Sequence, residues 1–319
     1  MLRILNPIKN IRTLRPYLYD ALTWRRKVMP RPLAGFLGIG NRPSLPGTLR
    51  LPTYDGSGQA CHPTVSVFQG KIYMACTPYP YGRDPYENPC LYVRGPDSAR
   101  WKPVPGVYPL VRPQRPGYEH YSDPCLFQRE GKLVLLYRKR ERRPSGTVEI
   151  LYTVSSADGE AWDPPRFLAE GPVDDRLISP AAAGNALFCV EYYGGSSQIV
   201  RYALDGLDGL GEKTACGVSG LGQDFFVWHM DCATQPDGAV RGLFMLQKKN
   251  VPEIISRLAL FTWRPGDGVW SWERDVPESE EEKRAVSFVY KSCFTEDPGR
   301  VLCSARDRKG RFFLFEKSI

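Results

Sequence analysis

The sequence predicts an all-β fold, a five-bladed β-propeller preceded by a short basic extension. Three observations carry this. A polar turn running into a strand recurs five times, a second apolar strand follows each recurrence, and the composition is rich in turn formers. The openings are His62-Pro63-Thr64-Val65, Ser122-Asp123-Pro124-Cys125, Ile178-Ser179-Pro180-Ala181, Trp228-His229-Met230-Asp231 and Tyr290-Lys291-Ser292-Cys293. Counted from His62, Asp123, Ser179, His229 and Tyr290, they recur every 50 to 61 residues. That period suits one four-stranded blade with generous loops.

Each opening leads through a turn to its second strand. Gln69-Gly70 precedes Lys71 to Ala75, and Glu130-Gly131 precedes Lys132 to Arg138. Gly184-Asn185, Asp237-Gly238 and Pro298-Gly299 precede the other three. Glycine and asparagine supply the backbone angles that such reversals need. Third strands are predicted at Cys90 to Val93, Ile150 to Val154, Ile199 to Ala203 and Leu258 to Thr262, several followed by a turn and a tryptophan. The chain ends on Phe312 to Phe315, which leaves the last blade one strand short. Thr48 to Leu51 is expected to supply it, so that both ends of the chain close one ring over residues 48–319 and no sheet edge stays open.

Composition supports a packed β domain. The 319 residues include 30 glycines and 29 prolines, nearly a fifth of the chain, yet 12% are aromatic and 42% hydrophobic. Disordered chains lack that aromatic content. No run of about 18 apolar residues occurs, so no membrane span is expected. Residues 1–47 form a basic extension, with a helix expected over Ile11 to Lys27, interrupted at Pro16. The extension has no uninterrupted apolar signal core, which points to a cytoplasmic protein; association with a virion or export by another route are the alternatives. The nine cysteines include no Cys-x-x-Cys pair, so buried thiols are expected in preference to disulfides or a zinc site. The net charge of +8 is concentrated in the extension and in Arg138 to Arg143. It permits an anionic partner, but no nucleic-acid motif accompanies it. Neither a Walker-type loop nor Gly-x-Ser-x-Gly is present, and Gly38-Ile39-Gly40 lacks the strand-turn-helix setting of a dinucleotide site.

In a propeller the first strand of every blade lines the central channel, so the five openings converge on one mouth. All three histidines, His62, His120 and His229, lie at or just before an opening, with Asp123, Asp231, Tyr121, Trp228, Tyr290 and Lys291. The loop Thr77 to Pro89 adds Tyr79, Tyr81, Tyr86, Arg83, Asp84, Glu87 and Asn88, the chemistry of a sugar-binding surface or of a rigid structural turn. Glycosidic cleavage needs one carboxyl group to donate a proton and a second to activate water or attack carbon. Asp123, Glu87, Asp231 and Glu191 are the candidates. Asp123 also reads as a turn-capping residue before proline, and Glu191 as an ordinary strand residue. His62 and His229 with Asp231 would suit a metal, although plain channel-lining histidines are the expectation and no cofactor is required.

The Asp-Pro openings, the five repeats and the turn Asp158-Gly159-Glu160-Ala161-Trp162 resemble the five-bladed glycoside hydrolases of families 43, 32, 117 and 130. The combination of Thr77-Pro78-Tyr79-Pro80, Tyr86-Glu87-Asn88-Pro89, Ser122-Asp123-Pro124, Ile178-Ser179-Pro180 and Trp228-His229-Met230-Asp231 is similar to a poorly characterised set of glycosidase-like propellers, over residues 59–305. The resemblance implies a glycan in the central funnel and three carboxylates around it, in the first, second and third blades. Asp123 stands at the second of these, but His62 and Ser179 occupy the other two. The expectation is therefore a glycoside hydrolase-like protein in which Asp123 tunes or orients, Glu87 and Asp231 act as acid and base, and His62, His229, Tyr81, Arg138, Trp228 and Lys291 hold the sugar. A Ca2+ or other divalent ion at the centre is compatible with this. The alternatives are a glycan-binding or structural propeller without catalysis, and a scaffold for protein partners.

Overall fold

The computed structural model describes residues 14, 16–22, 45–111, 120–193, 195–207, 209–251 and 254–319. Nineteen strands are named among them, and they fall into consecutive antiparallel meanders. The first comprises β1 (Ala60–Phe68), β2 (Lys71–Pro78), β3 (Cys90–Arg94) and β4 (Lys102–Pro103). The second comprises β5 (His120–Arg129), β6 (Lys132–Arg143), β7 (Gly146–Ser156) and β8 (Arg166–Glu170). The third is β9 (Arg176–Ala183), β10 (Ala186–Tyr193), β11 (Ser196–Asp205) and β12 (Gly209–Ser219). The fourth is β13 (Phe225–Thr234), β14 (Val240–Lys248), β15 (Ser256–Trp263) and β16 (Val269–Asp275), and its outer strand β16 pairs parallel with β12 of the third. The fifth has β17 (Val286–Phe294), β18 (Arg300–Asp307) and β19 (Phe312–Ser318). The first strands touch in cyclic order: β1 meets β5, β5 meets β9, β9 meets β13, β13 meets β17, and β17 returns to β1. The fold is all-β and propeller-like.

Why the second strand of each meander is apolar along its length is visible in the packing. Each sheet is covered on both faces by its neighbours, so a period-two strand buries both of its sides. On β6, Leu133 and Leu135 pack against the first sheet while Leu136 packs against the third. On β10, Leu187 and Cys189 face the second sheet, whereas Phe188 and Val190 face the fourth. On β14, Phe244 and Leu246 face the third sheet, and Leu243 and Met245 face the fifth. On β18, Leu302 joins Met74, Cys76 and Tyr92 of the first sheet and completes the circuit of cores. All nine cysteines are buried, free members of these layers or their margins.

The ring is closed at the fifth sheet, where Thr48 forms a single bridge with Phe315. Leu49 N–H donates to Leu314 O at 2.8 Å, and Glu316 N–H donates to Gly47 O at 3.0 Å. The expected strand Thr48 to Leu51 is thus an isolated bridge with flanking hydrogen bonds. Gly47 has φ +75°, and a Cβ there would lie 2.3 Å from Glu316 O. Gly47→Ala should therefore weaken closure by about 1–3 kcal/mol, the cost of a strained left-handed residue, read as a lowered denaturation midpoint. An unchanged midpoint would show that the closure is dispensable. The Asp158 to Trp162 turn forms as the sequence suggests, with Asp158 Oδ1 accepting from the Glu160 and Ala161 N–H groups.

Of the expected N-terminal helix, Leu14 and residues 16–22 are helical; the remainder lies outside the described residues. Tyr19 is fully buried against Tyr81 and Tyr86 and donates to Asp55. Among the described residues, no helix is long and apolar enough to cross a membrane.

Candidate functional site

Each first strand carries a register shift at the same level: Cys61/Thr64 on β1, Ser122/Cys125 on β5, between Ile178 and Ala181 on β9, Val227/His229 on β13 and Val289/Ser292 on β17. In the first three, the residue before proline sits in the left-handed region: His62 at φ 51°, Asp123 at 48° and Ser179 at 52°. Such backbone costs of order 1–3 kcal/mol per residue and persists where the surroundings impose it. The bulges re-aim side chains toward the channel. Beyond each bulge the strand resumes its alternation. On β13, Met230 and Cys232 face the third sheet, while Asp231 faces the fifth.

What converges is His62, Asp123 and His229, three buried residues each offering one ligand atom, all within 4.8 Å of one another. Asp123 Oδ1 lies 3.7 Å from His62 Nε2, 3.7 Å from His229 Nδ1 and 4.0 Å from Lys291 Nζ. Asp123 Oδ2 accepts from Arg138 Nε at 2.9 Å, and Arg138 Nη1 donates to Glu149. Among the described residues, Asp123 Oδ1 accepts no hydrogen bond, and neither ring nitrogen of His229 has a hydrogen-bond partner. Buried polar groups are seldom left so.

His62 is oriented from behind. Its Nδ1 lies 3.2 Å from Glu87 Oε1, 3.0 Å from Thr77 Oγ1 and 3.3 Å from Ser122 Oγ. The other Glu87 oxygen is 3.6 Å from His120 Nε2. Burial opposes charge on His62, but Cys61, Asp123 and Glu87 overcome it and push its pKa up to about 10. Burial would likewise raise Asp123, yet Arg138, His62, Lys291 and His229 hold it well below the ordinary carboxylate range. Burial drives His229 well down, so it stays neutral. It also raises Glu87, against the pull of His62 and Arg138. His120 falls to about 2, through burial and then Arg138, Arg140 and Arg176.

The other residues singled out from the sequence divide. Lys291 is buried beside Asp123 and donates to Pro124 O at 3.2 Å. Trp228 donates to Tyr290 Oη at 3.2 Å, and Tyr290 packs on both His229 and His62. Asp231 is not with the histidines: its Oδ2 accepts from the Phe294 N–H at 2.9 Å, joining the fourth and fifth sheets, and burial raises it to about 6. The carboxylate that completes the histidine pair is Asp123. Tyr81 is buried under Tyr19, and Tyr79 is the tyrosine that packs on His62, at 5.7 Å between ring centroids. Glu191 is engaged by Lys213 and Tyr193. Ser179 Oγ accepts from Met230 N–H at 2.8 Å and donates to Met230 O at 2.9 Å, bridging the third and fourth sheets. Ser179→Ala should cost about 1–3 kcal/mol of stability, because it orphans two buried backbone groups, while leaving cation affinity at the histidine cluster intact; calorimetric titration of the variant checks both. Glu149 and Arg176 carry no motif signal in the sequence, and Arg140 stands out only as part of the basic run Arg138 to Arg143.

The donor set suits a first-row transition ion. The neutral imidazole of His229, the imidazole of His62 once its proton is displaced, and a carboxylate favour such ions, whereas Ca2+ takes oxygen ligands. The unsatisfied atoms of Asp123 and His229 are where those bonds would form, and Glu87 behind His62 is the outer carboxylate that commonly orients a ligating histidine.

No protein-family model matches the chain, and no curated protein sequence matches it. Solved structures do. An N-acetylgalactosamine deacetylase from F. plautii, in complex with blood group B trisaccharide, superposes with TM-score 0.67 at 18% identity, over 86% of this chain and 95% of that one. The Bacillus subtilis arabinanase Arb43A gives 0.55 at 12%, over 82% and 94%. The xylan β-1,4-xylosidase from Bacillus halodurans C-125 gives 0.58 at 14%, over 86% of this chain and 54% of that one. At these identities the likeness shows a common propeller fold.

Proposed function

We propose that this five-bladed propeller is a carbohydrate-active hydrolase working at the mouth of its central channel, and that its chemistry is metal-assisted. The observation that carries the reading is the convergence of His62, Asp123 and His229, with Asp123 Oδ1 and both His229 ring nitrogens lacking a hydrogen-bond partner among the described residues. A two-carboxylate glycosidase mechanism finds less support, because each acid is committed elsewhere. Asp123 is bound to Arg138, Glu87 lies against His62, and Asp231 accepts from Phe294. A bound divalent cation supplies Lewis acidity and lowers the pKa of its water toward neutrality. The chain does the rest. Glu87 holds His62 by Nδ1 so that Nε2 points inward, Arg138 fixes Asp123 by one oxygen, and burial keeps His229 neutral. Tyr79, Tyr290 and Trp228, all partly buried, offer apolar faces beside the cluster on which a sugar can stack.

Hydrolysis of an acyl group on a sugar fits this donor set better than glycosidic cleavage, and the deacetylase neighbour is consistent with it. The test is hydrolysis of paired panels, acetylated sugars and chromogenic glycosides, with Zn2+ or Mn2+ and after chelation. Chelator-sensitive acyl release supports the proposal; chelator-resistant glycoside cleavage contradicts it. Ser179, standing where the resemblance implies an acid, favours glycan binding without turnover as the second reading, which predicts affinity for glycans and no product in either panel.

A pH dependence follows. Without a cation, Cys61 and the Asp123 and Glu87 carboxylates outweigh burial and hold the His62 proton with a pKa of about 10. Cation and proton compete for Nε2. Binding near pH 7 should release about one proton, and affinity should rise by up to ~10-fold per pH unit until pH nears that value. Calorimetry in buffers of different ionisation enthalpy measures the release; a value of zero would contradict it.

A further inference from the structure

We infer that Arg140 and Arg176 form a subsite for an oxyanion, a carboxylate or sulfate borne by the glycan, beside the central cluster; this rests on the carbohydrate reading above. Arg140 pairs across the strands with His120 on β5, and Arg176 is the first residue of β9. Both side chains are about one-third exposed, at 31% and 27%. Neither makes a hydrogen bond to the described residues. Their nearest carboxylate oxygen is Glu149 Oε1, at 3.9 Å from Arg140 and 3.5 Å from Arg176 Nε. Among the described residues that oxygen, on a side chain 1% exposed, accepts no hydrogen bond, and Arg176 Nε is buried without a hydrogen-bond partner. The other Glu149 oxygen already serves Arg138.

One carboxylate therefore faces three guanidinium groups. Arg138 is satisfied by Asp123 and Glu149, which leaves Arg140 and Arg176 with longer ion-pair contacts to one shared Glu149 oxygen and no side-chain hydrogen bond among the described residues. The nearby Asp84 is engaged by Tyr79 Oη at 2.8 Å. His120, paired with Arg140 across the strands, is kept neutral and adds no charge of its own. Paired, partly exposed guanidinium forks match carboxylate and sulfate geometry with charge-assisted, bidentate bonds.

Position ties this patch to the site. His120 contacts Glu87, which contacts His62. The Arg176 guanidinium lies 5.3 Å over the Trp228 ring, itself 5.7 Å from His229. Tyr192 and Phe226 also pack edge-on against Trp228. A saccharide on these rings would present an acidic substituent to the two arginines while its reacting group lay at the histidines.

The test uses the full chain. Sodium sulfate is titrated against sodium chloride of equal ionic strength, with Trp fluorescence as the readout. The wild type should show a saturable change, and Arg140→Gln and Arg176→Gln should each weaken it at least ~10-fold without lowering the melting temperature. A glycan array then compares uronate-containing and sulfated glycans with neutral ones. Preferential retention of anionic glycans by the wild type, lost in both variants, supports the inference. No saturable sulfate effect, an effect the variants leave unchanged, or equal retention of neutral glycans overturns it. Cation titration of the same samples separates this from the metal-assisted reading. Cation binding with no sulfate site removes the inference alone, and a sulfate site with no cation binding removes the metal reading alone.

Discussion

Asp123→Asn is expected to abolish divalent-cation binding at the channel mouth and any hydrolysis that depends on it. The carboxylate is the one anionic donor in the cluster, and its Oδ1 faces both histidines at 3.7 Å. Loss of an outer hydrogen-bond partner of a metal ligand costs roughly 10–100-fold in affinity; loss of the ligand itself should exceed that. The fold should survive, because asparagine is isosteric and its amide oxygen can still accept from Arg138 Nε. Stability should change with pH in a defined sense. The folded pKa of Asp123 is depressed, so its contribution is complete above the unfolded value of about 3.9 and is lost as pH falls through the folded value. The variant should thus be less stable than the wild type near neutrality and converge with it in strong acid. Asp231→Asn is the control. It keeps an amide oxygen that can accept from Phe294 N–H and should leave cation affinity unchanged. Equal loss of affinity in both variants would mean that the ligand assignment is wrong.

Arg138→Met should be the most destabilising single change at the site. Arg138 is 3% exposed and joins two carboxylates, Asp123 and Glu149, exposed 0% and 1%. Both charges hold the guanidinium strongly protonated against burial. Removing one partner of a buried ionic network leaves the others uncompensated, at a cost of about 3–5 kcal/mol. Arg138→Lys should fall between, since an ammonium keeps the charge but lacks the planar fork that reaches both acids. Denaturant unfolding reads the difference. A loss below about 1 kcal/mol for the methionine variant would show that water satisfies both acids without the arginine.

Much of the ring was legible because its physics repeats. A strand packed on both faces must be apolar throughout, so Leu133 to Tyr137, Leu187 to Val190 and Leu243 to Leu246 stand out at one period. The three X-Pro openings at His62, Asp123 and Ser179 mark bulges whose strained residues aim at a common axis. What the sequence could not show is which neighbours a bulge selects. His229 and Asp231 lie two residues apart, yet the bulge turns the histidine to the channel while Asp231 meets the fifth sheet. Tyr79 and Tyr81 likewise belong to one loop, but Tyr79 packs on His62 and Tyr81 lies beneath Tyr19. Glu149, Arg140 and Arg176 acquire meaning only when β6, β7 and β9 are brought together. A charged residue in an otherwise apolar strand such as Val148 to Leu151 is the one signal that could have marked Glu149.

The central claim is that His62, Asp123 and His229 hold a divalent cation. Anomalous diffraction from crystals of the full chain grown with Mn2+ or Zn2+ tests it most directly. The account predicts a single strong peak bonded to His62 Nε2, an Asp123 oxygen and one His229 nitrogen, at about 2.0–2.2 Å for zinc. No peak among these three residues at saturating metal, with their side chains ordered, would contradict it.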